Sequence, residues 1–124
     1  MSYKLGKRSK QKLSGVHPDM VAVVELAISI SEVDFTVLEG IRNINRQREL
    51  YKAGKSTTMN SRHLTGHAVD LAPWPISWEW EDFYPIADAM KAAAEELEID
   101  IVWGGDWKSF PDGPHFELSR KTYP

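Results

Sequence analysis

Apolar and polar positions alternate along the chain with two periods. From Asp19 to Ser31, Met20, Val23, Val24, Ala27, Ile28 and Ile30 recur at helical spacing, with Glu25 and Ser29 on the polar side. Pro18 suits the first turn, so a largely buried helix is expected there. Phe35-Thr36-Val37-Leu38 is a β-rich run ending at Gly40. A second helix is expected over Ile44–Ala53, with Ile44, Gln47, Leu50 and Tyr51 recurring along it. Asn43 is its N-cap and Gly54 its C-terminal stop. Lys55–Asn60 is polar and reads as a loop. His67-Ala68-Val69-Asp70-Leu71-Ala72 reads as a strand.

The clearest helix spans Asp82–Leu97. Phe83, Ile86, Ala87, Met90, Ala93, Ala94 and Leu97 share one face, Asp82 is the expected cap, and Pro85 falls in the first turn, where its missing N–H is tolerated. Ile99–Trp103 reads as a strand, Gly104–Trp107 as a turn and His115–Leu118 as a last short strand. Helices and strands alternate, as in a parallel α/β sheet. The strands are few, however, and the last connection is short enough for a hairpin-like return. Between the motif strand and the long helix, Trp74, Trp78 and Trp80 are expected to pack a loop against the sheet; a sugar-stacking platform is the alternative.

At 124 residues the chain suits one domain, and 1–124 is read as a single unit. A length of this order buries roughly two thirds of the extended surface, enough for a core without staples. The chain has no cysteine, which excludes disulfides and thiolate metal sites. The net charge of −3 argues against nucleic acid as a partner. No apolar run reaches the ~18 residues of a membrane span, so no stable membrane association is expected. The basic N-terminus lacks the apolar core of a signal peptide, which implies accumulation in the cytoplasm of the producing cell. Lys4, Lys7, Arg8, Lys10 and Lys12 cluster before the first apolar helix and are expected to form a solvated arm.

Chemistry concentrates in Ser61-Arg62-His63-Leu64-Thr65-Gly66-His67-Ala68-Val69-Asp70. His63 lies in a loop and Asp70 in the following strand, with Gly66 letting the backbone bend. Together with His115 they would supply two imidazoles and a carboxylate, the donor set of a catalytic zinc that keeps a fourth position open. A hydrogen-bonded His–Asp pair explains the same residues, and a spacing of seven is not a standard zinc motif, so type and spacing leave both readings open. His67 has the opposite strand parity to Asp70 and is not expected to ligate. His17 is expected to make a structural hydrogen bond.

The pattern Ser61, His63, Gly66, Ala68, Asp70, followed by Asp112-Gly113-Pro114-His115, resembles the zinc D,D-peptidase family of VanX, VanY and their phage relatives. Trp103-Gly104-Gly105-Asp106-Trp107, His17-Pro18-Asp19 and Gly40-Ile41-Arg42 are similar to the phage L-alanyl-D-glutamate endopeptidases, which are endolysins. The resemblance runs from about Val16 to Leu118. It implies an α+β fold with a small antiparallel sheet and packed helices, of the Hedgehog/D,D-peptidase-like type, and a Zn²⁺ ion held by His63, Asp70 and His115. It also implies that Arg42 stabilises the oxyanion or substrate carbonyl; without the resemblance, an ion pair with Glu39 or Glu49 explains Arg42 equally well.

Asp112, three residues before His115, would sit near the open coordination position, able to take a proton from water and hand it to the leaving amine. Carboxypeptidase members mostly carry Glu at this point, whereas the endolysin branch has Asp. Glu117, which shares the strand face of His115, is the rival base, and Asp106 a weaker one. Ser61 is a candidate substrate hydrogen-bonding group, with loop capping as its other reading.

The function implied is zinc-dependent hydrolysis of the L-alanyl-D-glutamate bond of the peptidoglycan stem peptide by a monomer. A holin would then release the enzyme to the cell wall once the membrane is permeabilised. The alternatives are a D-alanyl-D-alanine carboxypeptidase or dipeptidase, a non-catalytic zinc-stabilised wall-binding module, and a muramidase using two carboxylates.

Overall fold

The structure is a computed structural model that describes residues 2–56 and 58–124. Met1, and Thr57 within the expected 55–60 loop, lie outside the described residues. Helices α1 (Lys7–Lys12), α2 (Pro18–Ile30), α3 (Ile44–Lys52) and α4 (Tyr84–Leu97) accompany strands β1 (Phe35–Glu39), β2 (Ala68–Pro73), β3 (Ile101–Trp103) and β4 (His115–Leu118). The strands form one sheet in the order β1-β2-β4-β3, and every pairing is antiparallel. This is the α+β arrangement with a small antiparallel sheet; the alternation of helices and strands does not produce parallel crossovers.

Strand parity separates core from site. Phe35, Val37, Val69, Leu71, Phe116 and Leu118 are buried in the core with α2 and α4, which contribute Met20, Val23, Val24, Ile86, Met90 and Ala93. The other parity carries Asp70, His115 and Glu117, and Glu39 joins them although its number has the parity of Phe35 and Val37. A register shift between Val37 and Glu39 sets Glu39 opposite Asp70, and Asp70 is in turn opposite His115. The irregularity thereby aligns three polar side chains in a row across three strands, a common use of a bulge.

Several local features follow the pattern. The Asn43 side chain accepts from the Arg46 N–H at 2.8 Å, capping α3, and Gly54 follows the helix with φ of 72°. His17 caps α2 by accepting from the Asp19 N–H at 3.1 Å.

Others do not. The basic segment is no free arm. It forms α1, whose Leu5, Ser9 and Leu13 flank is buried. The Val37 N–H donates to Ser9 Oγ at 3.0 Å, and Ser9 Oγ also bonds Thr36 Oγ1, so α1 docks on β1 while its lysines face solvent. On α3 the buried residue is Gln47; Ile44 and Tyr51 are exposed, because the helix turns its polar face towards the site. Ile30 and Leu97, at the ends of their helices, are also exposed.

Asp82 does not cap α4. A 3₁₀ turn over Trp80–Phe83 runs straight into the helix, and the Asp82 carboxylate accepts instead from Ser77 Oγ. Trp74, Trp78 and Trp80 are exposed rather than packed under a loop. The helices cover the core face of the sheet, and two of these rings pair with other aromatics: Trp78 stacks on Phe83 and Trp80 on Trp103. No described helix is long and apolar enough to cross a membrane.

Candidate metal centre

Asp70 and His115 meet because they are a cross-strand pair on the central strands β2 and β4. His63 arrives from a 3₁₀ turn (Arg62–Thr65) that ends at Gly66, whose φ of 76° redirects the chain into β2. The turn is anchored twice: the Arg42 N–H donates to the His63 carbonyl at 2.9 Å, and the His17 N–H to the Gly66 carbonyl at 2.8 Å. His63 Nε2 then lies 3.2 Å from Asp70 Oδ1, and His115 Nδ1 lies 3.4 Å from the same oxygen. One donor atom from each of the three residues falls within 4.8 Å of the others.

The partners of the outer ring nitrogens fix which nitrogen of each ring turns inward to Asp70. His63 Nδ1–H donates to the Gly40 carbonyl at 2.8 Å, so Nε2 is the nitrogen turned to Asp70 and would ligate a cation on losing its own proton. His115 Nε2–H donates to Glu117 at 2.8 Å, leaving Nδ1 facing Asp70. A carbonyl and a carboxylate behind two imidazoles are what orients histidines toward a cation. Ligand atoms about 2.0–2.1 Å from a tetrahedral zinc stand roughly 3.3 Å apart, and the two nitrogen–oxygen separations bracket that figure. The cluster therefore fits a first-row metal, and it could bind one.

The electrostatics point the same way. Burial alone would raise the Asp70 pKa, but hydrogen bonds from His115 and His63 outweigh it and hold the carboxyl well below its usual range. Burial alone would lower the His115 pKa, but its bonds to Asp70 and Glu117 push it up to about 9. This corner of the protein attracts positive charge.

The remaining candidates occupy distinct positions. Asp112 lines the same open cleft, which has a volume of about 950 Å³. Burial raises its pKa, and the nearby Asp70 charge adds to the rise. Asp112 makes no ion pair within 4.0 Å among the described residues. Glu117 also lines the cleft, and its carboxylate is engaged with His115 Nε2–H at 2.8 Å. Asp106 is bound to Lys91 at 2.9 Å and does not line the cleft. Ser61 lines the cleft, and its Oγ accepts from the His63 N–H at 3.2 Å, capping the turn. His67 stands apart, bonded to Thr65 Oγ1 at 2.7 Å.

Arg42 forms a two-pronged pair with Glu39 at 2.7 and 2.8 Å, donates to Gln47 at 2.7 Å, and lies 3.8 Å from Asp70 Oδ2. The pairing with Glu39 rather than Glu49 leaves two of its five N–H groups for other acceptors. Sequence reasoning missed Gln47. Fully buried, it accepts from Arg42 and donates to Ser56 Oγ and the Thr58 carbonyl, joining the arginine to the loop that walls the cleft. A polar residue on a polar helix carries no sign of such burial. The Gly40 carbonyl was missed as well, since a backbone acceptor has no sequence signature.

The fold is that of the D,D-peptidases. It matches the vancomycin-resistance D,D-dipeptidase VanXYg with a TM-score of 0.59 at 18% identity, covering 83% of this chain and 50% of that one. A much nearer structure is the Serratia marcescens L-Ala D-Glu endopeptidase ChiX, with a TM-score of 0.91 and 51% identity over 95% of this chain and 91% of that chain. The L-alanyl-D-glutamate peptidase of Escherichia phage T5 is 35% identical over 130 residues, spanning 99% of this chain and 94% of its own length. The family described as phage L-alanyl-D-glutamate peptidase matches residues 1–123, and the chain belongs to it.

Proposed function

We propose that the protein is a zinc-dependent peptidoglycan peptidase, an endolysin that hydrolyses the bond between L-Ala and D-Glu in the stem peptide. The observation that carries this reading is the convergence of His63, Asp70 and His115, each histidine backed by an acceptor at its outer ring nitrogen, in a member of this family. His63 Nε2, Asp70 Oδ1 and His115 Nδ1 would hold the ion. A zinc ion bound there supplies a Lewis acid that acidifies water and polarises the scissile carbonyl.

The chain's own groups supply the rest. Asp112, with its pKa raised, takes the proton from the attacking water and returns it to the departing D-Glu amine. Arg42, fixed by Glu39 and Gln47, turns its spare N–H groups toward charge that develops on the carbonyl oxygen. Ser61, on the cleft wall, hydrogen-bonds the substrate backbone. Residues 1–124 act as a single catalytic domain and as a monomer, made in the cytoplasm and reaching the wall through a holin-permeabilised membrane.

Mass spectrometry of purified stem peptides, digested with and without chelator, tests the proposal. The expected products are a new D-Glu amino terminus and L-Ala left as the carboxyl end on muramic acid, both lost with chelator. Free D-Ala would instead support the carboxypeptidase reading, and new reducing ends would overturn the peptidase assignment.

A further inference from the structure

The two flanks of the cleft differ in chemistry. The metal cluster sits on the central strands β2 and β4, with β1 and β3 as the opposite edges of the sheet. On the α3 side the cleft is walled by Arg46 and by Lys55 just after the helix, while Arg120 and Lys121, which follow β4, also line it. Arg46 and Lys55 are exposed; Arg46 has only a loose contact with Glu49 at 3.8 Å, and Lys55 makes no ion pair among the described residues. The connection from β3 to β4 contributes Trp107 and Phe110 to the cleft wall. The Trp107 ring leans on His115, its centroid 5.1 Å away, and is still 36% exposed.

Phe110 is 75% exposed on a backbone with φ of 52°. A bulky residue in the left-handed region is a rare and costly arrangement, of the kind found at ligand clamps. The loop that carries it is tied at the neck, where the Trp107 and Asp112 N–H groups both donate to the Gly104 carbonyl at 3.2 and 2.9 Å. The loop holds an apolar ring out in solvent at the rim of the site.

The substrate under the proposed function is just as asymmetric. L-Ala is the first residue on the lactyl group of muramic acid, so a sugar ring lies one residue from the scissile bond, at about 3.5 Å per residue plus the lactyl link. On the other side, γ-linked D-Glu presents a free α-carboxylate, and the rest of the stem adds more. We propose that the Trp107–Phe110 rim stacks on the muramoyl sugar and that Arg46 and Lys55 receive the D-Glu α-carboxylate, which fixes the direction of the stem across the cluster. The apolar face of a pyranose suits an aromatic ring, and exposed cations suit carboxylates. This rests on the L-Ala–D-Glu reading above.

The test compares three substrates: the disaccharide tetrapeptide, the same tetrapeptide N-acetylated without sugar, and the disaccharide tetrapeptide amidated at the D-Glu α-carboxyl. Phe110→Ala is expected to lower the kcat/KM preference for the sugar-bearing over the sugar-free substrate about tenfold, the scale of one lost aromatic contact, with Phe110→Tyr restoring it. The Arg46→Gln, Lys55→Gln double variant is expected to lower the preference for the free carboxylate over the amide by a similar factor. In the chelator-stripped wild type, the disaccharide alone is expected to shift the Trp107 indole NMR signal.

Unchanged preferences in both variants, or the two effects exchanged between them, would overturn the polarity while leaving the peptidase reading intact. If the wild type cuts neither tetrapeptide between L-Ala and D-Glu, the peptidase reading falls and this proposal with it.

Discussion

Replacing Glu117 by glutamine separates two roles that its position allows. The carboxylate accepts from His115 Nε2–H at 2.8 Å, and both side chains are about nine-tenths buried or more. Glutamine keeps the length and an acceptor oxygen but removes the negative charge. A charge-assisted bond at this distance is roughly twice as strong as a neutral one, and burial keeps salt from screening it. His115 becomes a less basic ligand. Loss of such a supporting partner weakens metal binding about 10–100-fold, or about 1.4–2.8 kcal/mol. Competition against a chromophoric chelator at fixed pH measures the zinc Kd, and turnover at saturating zinc measures the chemistry. The expectation is a Kd raised 10–100-fold with kcat lowered less than about tenfold. An unchanged Kd with kcat down about 10²-fold or more would show that Glu117 handles the proton itself and that its support of His115 is immaterial.

Three further expectations follow from the same geometry. Asp112→Asn keeps the shape but removes the proton acceptor, so activity should fall about 10²-fold or more with zinc content retained; an active Asp112→Asn enzyme would exclude Asp112 as the base. In chelator-stripped protein, His115 is raised to about 9, so its stabilisation is complete below the unfolded value near 6.5 and is lost as pH rises through 9. Asp70 is depressed, so its contribution is present above the unfolded value near 4 and is lost as pH falls below it. The stripped protein should therefore lose stability as pH rises from 6.5 to 9, while the gain on adding zinc widens over that range; a flat thermal midpoint would contradict it. Finally, a Cβ at Gly40 would meet the Lys12 carbonyl oxygen at 2.1 Å and Val16 Cγ2 at 2.8 Å. Gly40→Ala should cost about 1–3 kcal/mol in a thermal melt and weaken zinc binding through the displaced carbonyl behind His63.

What could be read from the sequence was set by periodicity and by residue type. The apolar stripes of α2 and α4 are long enough to fix both helices, and the Asn43 cap and Gly54 stop bound α3 because their chemistry is local. His63, Asp70 and His115 stood out as metal-ligand types, and the family resemblance joined them; the Asp70–His115 pairing itself is a matter of strand register. Tertiary packing decided the rest. The Leu5, Ser9, Leu13 spacing was present, yet five cations around it masked a docking face. Gln47 is buried only because Arg42 and the Thr58 carbonyl reach it from elsewhere in the chain. Trp74, Trp78 and Trp80 stayed outside because the sheet's core face is covered by α2 and α4.

The strand order also governs when the site comes into being. β2 and β4 are neighbours in space, but most of the second half of the chain, including α4 and β3, lies between them. Closing so large a loop is slow, and its entropy is lost before the pairing gives anything back. On the ribosome His63 and Asp70 are made well before His115, so a nascent chain presents an incomplete ligand set until β4 has followed. The three residues thus converge only once β2 and β4 pair, and a chain still lacking β4 lacks the third of them.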